Sequence, residues 1–216
     1  MTHVQKIVNI GLLLFGALLL VCIFYLFIEP EQDSDKNSSP PPPAITSEKP
    51  MGGNFTLTAQ DGQHSLSDFK GKLVLLYFGY TYCPDICPTD LGSLSMAYQR
   101  LTEAEKAQIQ VLFVTVDPKR DTAERMAEYA QYFNANITGL TGTEQEIATV
   151  TQQYGAVYFK AQQKNSENYT VDHSAFIYVI DQNGALQTQL PHASSAEKIQ
   201  HTIQTYLTKG ASKQVP

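Results

Sequence analysis

The stretch IVNIGLLLFGALLLVCIFYLFI, from Ile7 to Ile28, carries no charged residue, and it limits what this chain can fold into more than any other feature. As a helix rising ~1.5 Å per residue, it is long enough to cross the ~30 Å hydrocarbon layer of a bilayer. The sequence therefore predicts a short end at 1–6 and a single transmembrane helix at 7–28. A cleaved signal peptide would have a shorter apolar core and a small-residue cleavage site, but this run ends in Ile28-Glu29-Pro30. A lipid attachment signal does not fit Cys22 either, because Val21 precedes it and the apolar Ile23 to Ile28 follow. Cys22 reads as one more membrane-embedded hydrophobe. Lys6 lies before the span, whereas Glu29, Glu31, Asp33 and Asp35 follow it. The bias of cationic residues toward the cytoplasmic side places the N-terminus in the cytoplasm. The expected location is thus the inner membrane, crossed once, with the remainder on the periplasmic (outer) side.

Residues 29–50 contain almost nothing that could build a core, and the run Pro40 to Pro43 favours an extended polyproline spacer. This Pro-rich linker would hold a domain at 51–216 off the bilayer. The whole chain carries 15 Lys plus Arg against 21 Asp plus Glu, a formal charge of -6. With no basic run to neutralise phosphates, no nucleic-acid partner is expected. From Met51 onward there is enough chain for one core that buries ~70% of the unfolded surface.

The periodicity of that region alternates. Leu73 to Gly79 (LVLLYFG) is a continuous apolar run, read as a strand covered on both faces. Thr89 to Leu101 has helical spacing, and Val111 to Val116 reads as a second buried strand stopped by Asp117-Pro118. Asp121 with Glu124 forms a capping box for a helix to about Phe133, and Thr143 with Glu146 forms another for Glu144 to Tyr154. Ala175 to Asp181, turned at Asn183-Gly184 into Ala185 to Leu190, reads as a hairpin. A last helix starts at Ser194 and ends before Gly210. An N-terminal β-hairpin around Phe55 to Leu66 comes first, turned at Asp61-Gly62. This order predicts an α/β fold with a thioredoxin-like central sheet flanked by helices.

Three cysteines are too few for a disulfide scaffold or a four-thiolate metal site. Two of them stand in Gly79-Tyr-Thr-Tyr-Cys83-Pro-Asp-Ile-Cys87-Pro88, where the first buried strand gives way to a helix. In open α/β sheets, chemistry is usually placed at that junction. If the segment is a helical turn, the two Cα atoms lie ~6 Å apart on one face, which also permits a disulfide. The nearby helix N-terminus would ease ionisation of both sulfurs. A disulfide between residues this close closes a tiny loop and constrains the unfolded chain little, so stability alone is a weak reason for the pair.

Three residues between the cysteines, rather than two, leave open a nucleophile beside a resolving thiol and a two-pronged soft ligand. Two thiolates suit Cu(I) or zinc; a structural zinc would want four ligands, whereas one imidazole would complete a three-coordinate Cu(I) site. Of His3, His64, His173, His192 and His201, only His173 precedes a buried strand. In a thioredoxin-like sheet, the loop before that strand faces the cysteine loop. Asp85 reads as turn chemistry or a local attraction for a cation, and Asp121 as an N-cap. Asp117 and Arg120 read as orienting or partner-facing groups at the same sheet edge, and Tyr80 and Tyr82 as shields or packing.

Taken together, GNFTLTAQDG, DFKGKLVLLYFGYTYCPDICP, VLFVTVDPKRDT, GLTGT and YTVDHSAFIYVID, in that order, closely resemble the Sco/SenC family of membrane-anchored copper proteins. The similarity runs from about Gly53 to Tyr206 and includes the anchor. It implies copper, as Cu(I) with Cu(II) as a second state, held by Cys83, Cys87 and His173. It also implies delivery to the copper A centre of cytochrome c oxidase during assembly of that complex. The partners so implied are the copper A subunit, an upstream copper donor protein and membrane lipid around the anchor. Where thioredoxins carry a cis-proline facing their cysteines, this chain has Asp172-His173-Ser174. An alternative role is a thiol-disulfide reductase in which Cys83 and Cys87 are the catalytic pair, maintaining the cysteines of the oxidase subunit. A peroxiredoxin-like reading is weaker, because Tyr80 stands where Thr would be needed.

Overall fold

The computed structural model describes Leu20, residues 51–161 and residues 169–212, with residues 211 and 212 described through their backbone alone. The expected end at 1–6, the linker at 29–50 and, apart from Leu20, the span at 7–28 lie outside the described residues. Among the described residues, no helix is long and apolar enough to cross a membrane. The chain divides into two units, Met1–Pro42 and Pro43–Pro216, and the second holds the fold described below.

A hairpin opens that unit, with β1 at Thr56–Ala59 and β2 at Gly62–Ser65. Its turn passes through Gly62 at φ 134, a conformation open to glycine alone. After a single 3-10 turn come β3 (Leu73–Gly79), α1 (Ile86–Gln99), the one-turn α2 (Glu103–Lys106), β4 (Ile109–Thr115) and α3 (Ala123–Gln131). There follow β5 (Ile137–Leu140), α4 (Glu144–Gln153), β6 (Tyr158–Lys160), β7 (Val171–His173), β8 (Phe176–Ile180), β9 (Leu186–Pro191) and α5 (Ala196–Ser212). The main sheet has the order β5-β4-β3-β8-β9. Its β3, β4 and β5 are parallel, while β8 runs antiparallel to β3 and β9 antiparallel to β8.

Every residue of β3 and β4 is buried, because both strands are central and both faces of the sheet are covered. The pleat divides them between two cores. Leu73, Leu75 and Tyr77 pack with Leu91 and Leu94 of α1, Met126 of α3 and Ile199 and Ile203 of α5. Val74, Leu76 and Phe78 pack with Leu57 of the hairpin and Ile147 and Val150 of α4. This is the thioredoxin-like arrangement of a central sheet between helices that the alternating periodicities imply.

Strand register assembles the working edge. Gly79, at the end of β3, pairs with Thr115 at the end of β4, and Tyr77 pairs with Ile177 near the start of β8. The segments after β3 and β4 and the segment before β8 therefore meet at one end of the sheet. Several boundaries differ from the sequence reading. The cysteine helix begins at Ile86 rather than Thr89, so Cys87 lies in its first turn while Cys83 precedes it. The cap of α3 is Thr122, whose side chain accepts from the Arg125 N–H, and Asp121 is drawn inward instead. The last helix starts at Ala196 and continues through Gly210 to Ser212. His173 closes the short strand β7, which pairs with β6; that two-stranded ribbon, β5 and α2 have no counterpart in the sequence reading.

Candidate metal centre

Cys87 is wholly buried in the first turn of α1, and its placement depends on Gly79. A Cβ at Gly79 would stand 2.6 Å from the Cys87 Sγ and 2.9 Å from the Phe113 ring, so this position admits no side chain. Cys83 lies in the turn before the helix, half-buried, and its sulfur accepts the Cys87 backbone N–H at 3.4 Å. Across the edge, Nε2 of His173 lies 3.3 Å from the Cys87 Sγ. Donor atoms of Cys83, Cys87 and His173 all fall within 4.8 Å of one another. Among the described residues, they form the one group of three or more His, Cys, Asp or Glu side chains so arranged.

The two sulfurs are electrostatically unlike. Cys83 is held down to about 4, first by its hydrogen bond with Cys87 and then by His173 and the backbone N–H groups of Cys87 and Asp85, against some desolvation. Burial pushes Cys87 far up, and the neighbouring Cys83 adds to the shift. The metal-free site thus pairs a thiolate at its mouth with a thiol at its floor. Nδ1 of His173 lies 3.2 Å from the Ser174 carbonyl oxygen. An oxygen that can only accept requires a proton on Nδ1, which turns Nε2 toward the sulfurs.

Residues around the triad hold it rather than join it. Asp121 accepts the Thr81 N–H at 3.0 Å, the Thr81 hydroxyl at 2.6 Å and the Thr115 hydroxyl at 2.7 Å. It ties the turn leading to Cys83 onto the end of β4. Burial raises its pKa above the usual carboxylate value. Asp117 is buried, pairs with Arg120 and accepts the Tyr169 hydroxyl at 2.6 Å. Arg120 lies over the Tyr169 and Tyr82 rings, at 3.7 and 4.6 Å from their centroids. Tyr80 accepts the Val171 N–H at 3.1 Å and meets the His173 ring edge to face. These groups fix β7, and with it His173. Asp85 occupies the N-cap position of α1, but its exposed side chain makes no capping bond.

Other histidines stand elsewhere. His64 is on the hairpin, bonded to Asp61 at 2.8 Å and stacked on Phe69. His201 lies on the exposed side of α5, and His192 binds Asp90 at 2.9 Å; His3 is outside the described residues. Tyr77, Asp90 and Tyr169 escaped the sequence reading. Nothing local marks them, since their hydrogen-bond partners lie between 13 and 103 residues away.

Two soft sulfurs and one imidazole nitrogen, with no fourth donor grouped with them among the described residues, suit Cu(I) better than a structural zinc ion, which takes four.

Comparison with known proteins agrees with this chemistry. The family model described as SCO1/SenC matches residues 43–208. The mitochondrial SCO2 homolog of Bos taurus is 40% identical over 158 residues, covering 72% of this chain and 59% of that protein. The mitochondrial SCO2 protein of Saccharomyces cerevisiae is 38% identical over 189 residues, covering 84% of this chain and 60% of that protein. The chain thus spans about 60% of the length of these relatives. Among solved structures, copper-bound ScoI of Bradyrhizobium japonicum superposes with a TM-score of 0.66 at 34% identity, covering 72% of this chain and 99% of that one. Copper-bound ScoI of Arabidopsis thaliana gives 0.68 at 31% identity, covering 73% and 98%. With the model matched across nearly all of the folded unit, this chain belongs to the SCO1/SenC family.

Proposed function

We propose that the protein is a copper metallochaperone that carries Cu(I) on Cys83, Cys87 and His173 and passes it to the copper A centre of cytochrome c oxidase during assembly. The observation that carries this reading is the convergence of two sulfurs and one imidazole nitrogen within 4.8 Å at a single sheet edge. The copper named in the descriptions of the related ScoI structures supports the choice of ion. Cys87 would give up its thiol proton to solvent as Cu(I) binds; two thiolates and a neutral imidazole around Cu(I) then give a net charge of -1 and leave coordination space open. An acceptor thiolate forms a new Cu–S bond as His173 Nε2 and then the sulfurs let go, and copper stays Cu(I) throughout. The apolar run Ile7–Ile28 anchors the protein in the inner membrane with the domain on the periplasmic side, and the Pro-rich segment gives it reach toward a membrane-bound acceptor. An upstream donor protein loads the site.

Titration of the purified chain with Cu(I) tests the proposal. One equivalent should bind, and His173→Ala should weaken binding by about tenfold to a hundredfold, whereas His64→Ala should not. Equal behaviour of the two variants would remove His173 from the site.

The unlike sulfurs favour a second reading, thiol-disulfide exchange with cysteines of the oxidase subunit. A thiolate at Cys83 attacks a partner disulfide, and Cys87 then resolves the mixed disulfide, leaving the partner reduced and Cys83–Cys87 oxidised. Such a reductase would tolerate loss of His173, whereas a copper carrier would not.

A further inference from the structure

Asp90 is a nearly fully buried carboxylate in α1, three residues after Cys87, and metal binding as described does not use it. All of its partners reach it from distant parts of the chain. The Tyr77 hydroxyl donates to Oδ2 at 3.0 Å, while His192 Nδ1 at 2.9 Å and the Ala193 N–H at 3.0 Å share Oδ1. Ala193 adopts φ 59, a left-handed conformation that residues other than glycine seldom hold. The corner between β9 and α5 is bent so that two donors point at one carboxylate oxygen.

Tyr77 leads from there to the metal centre. Its ring is wholly buried and meets the His173 ring edge to face, with centroids 6.3 Å apart and planes at 89°. It also crowds the space above Gly79 that the Cys87 Sγ fills: a Cβ there would stand 3.1 Å from Tyr77 and 2.6 Å from that sulfur. One ring thus touches the surroundings of two ligands, and one hydrogen bond fixes how that ring lies. A core residue needing only bulk at this place would be Phe, with a leucine in place of the carboxylate.

We infer that Asp90 is a positioning residue for the metal centre, holding Tyr77 so that the Cys87 sulfur and the His173 ring keep the separation that grips a soft monovalent ion, with His192 anchoring Asp90 from the surface. This inference rests on the copper reading of the same site. Asp90 and Tyr77 touch no metal themselves and act through the rings and sulfur beside them.

The full chain in detergent, as wild type, Tyr77→Phe, Asp90→Ala, Asp90→Asn, His192→Gln and Cys83→Ser, provides the test. Cu(I) affinity is measured by competition with a chromophoric chelator, and the His173 ring signals are followed by 1H–15N NMR in the metal-free protein. Tyr77→Phe and Asp90→Ala should each weaken Cu(I) binding by about tenfold, as groups that orient a metal ligand do when removed, and both should shift or broaden the His173 signals. Asp90→Asn, which keeps an acceptor for the Tyr77 hydroxyl, should recover most of the affinity, and a chain carrying both Tyr77→Phe and Asp90→Ala should be no weaker than Asp90→Ala alone. Tyr77→Phe with wild-type affinity and unmoved His173 signals overturns the inference, whatever its melting temperature. Should Asp90→Ala not fold, Tyr77→Phe and the surface variant His192→Gln decide the matter, and no change in either one overturns it. Unimpaired copper binding by Cys83→Ser would instead overturn the copper reading itself. Loss of binding in Cys83→Ser beside wild-type behaviour of Tyr77→Phe would sink the positioning role alone.

Discussion

At the scale of single residues, the two cysteines differ more than their shared motif suggests. Both belong to one short turn, but the Cys83 sulfur collects backbone N–H groups and the His173 ring, whereas the Cys87 sulfur sits in an apolar core. The folded pKa of Cys83, about 4, lies below the ordinary thiol value. Its ionisation therefore favours the fold most above the unfolded value near 9, and the contribution fades as pH falls toward 4. Because Cys87 is shifted the other way, only Cys83 should react as a thiolate across the neutral range. Alkylation by iodoacetamide should modify Cys83 at a rate that stays level through the neutral range and falls to half its plateau only near pH 4, with Cys87 left intact, as peptide mass mapping would read out. A midpoint near the ordinary thiol value, or equal labelling of both residues, would contradict the asymmetry.

At the scale of elements, the centre depends on how β3 ends. Gly79 is the last residue of that strand, and the Cys87 sulfur rests against the face where its side chain would be. Gly79→Ala should cost about 1–3 kcal/mol of stability through overpacking, measurable in urea, and should reduce metal affinity because the sulfur has to move. Elements built on local chemistry were legible in the chain. The capping box of Thr143 and Glu146 marks α4, with Thr143 accepting the Glu146 N–H at 3.2 Å, and the unbroken apolar runs mark β3 and β4. Elements decided by distant partners were not. Asp121 and Thr122 are both good N-caps by composition, and three donors from Thr81 and Thr115 settle which one turns inward. Strands β6 and β7 are three residues each, too short for any periodicity to register, so His173 reads from the sequence as a loop residue. Its place opposite the cysteines was nevertheless foreseeable, because strand order alone brings the segment before β8 to the edge where β3 ends. Asp90 and His192, 102 residues apart, left no such trace.

At the scale of the whole molecule, the proposed function depends on where the domain would be held as well as on what it binds. A site that hands over one ion by ligand exchange must meet its acceptor sulfur to sulfur, and encounter frequency limits the rate. A tether in the same membrane as the acceptor raises the effective concentration by confining both partners to one surface. In the proposed function, the Pro40 to Pro43 run would act as an extended spacer of ~3.1 Å per residue, and the segment between the proposed anchor and Gly53 would set how far from the bilayer the metal centre can work. Two variants separate carriage from delivery. A chain lacking residues 1–50, exported by a cleavable signal, should bind Cu(I) as the full chain does, yet support oxidase activity poorly in cells that lack their own copy, with added copper restoring part of it. A full-length chain in which Pro40 to Pro43 are replaced by a Gly-Ser run of equal length should keep the anchor and lose only the stiffness of the spacer, giving activity between the two. Full oxidase activity from the untethered domain would mean that diffusion in the periplasm suffices, and the anchor would then need another explanation, such as sorting to the membrane where the oxidase is built.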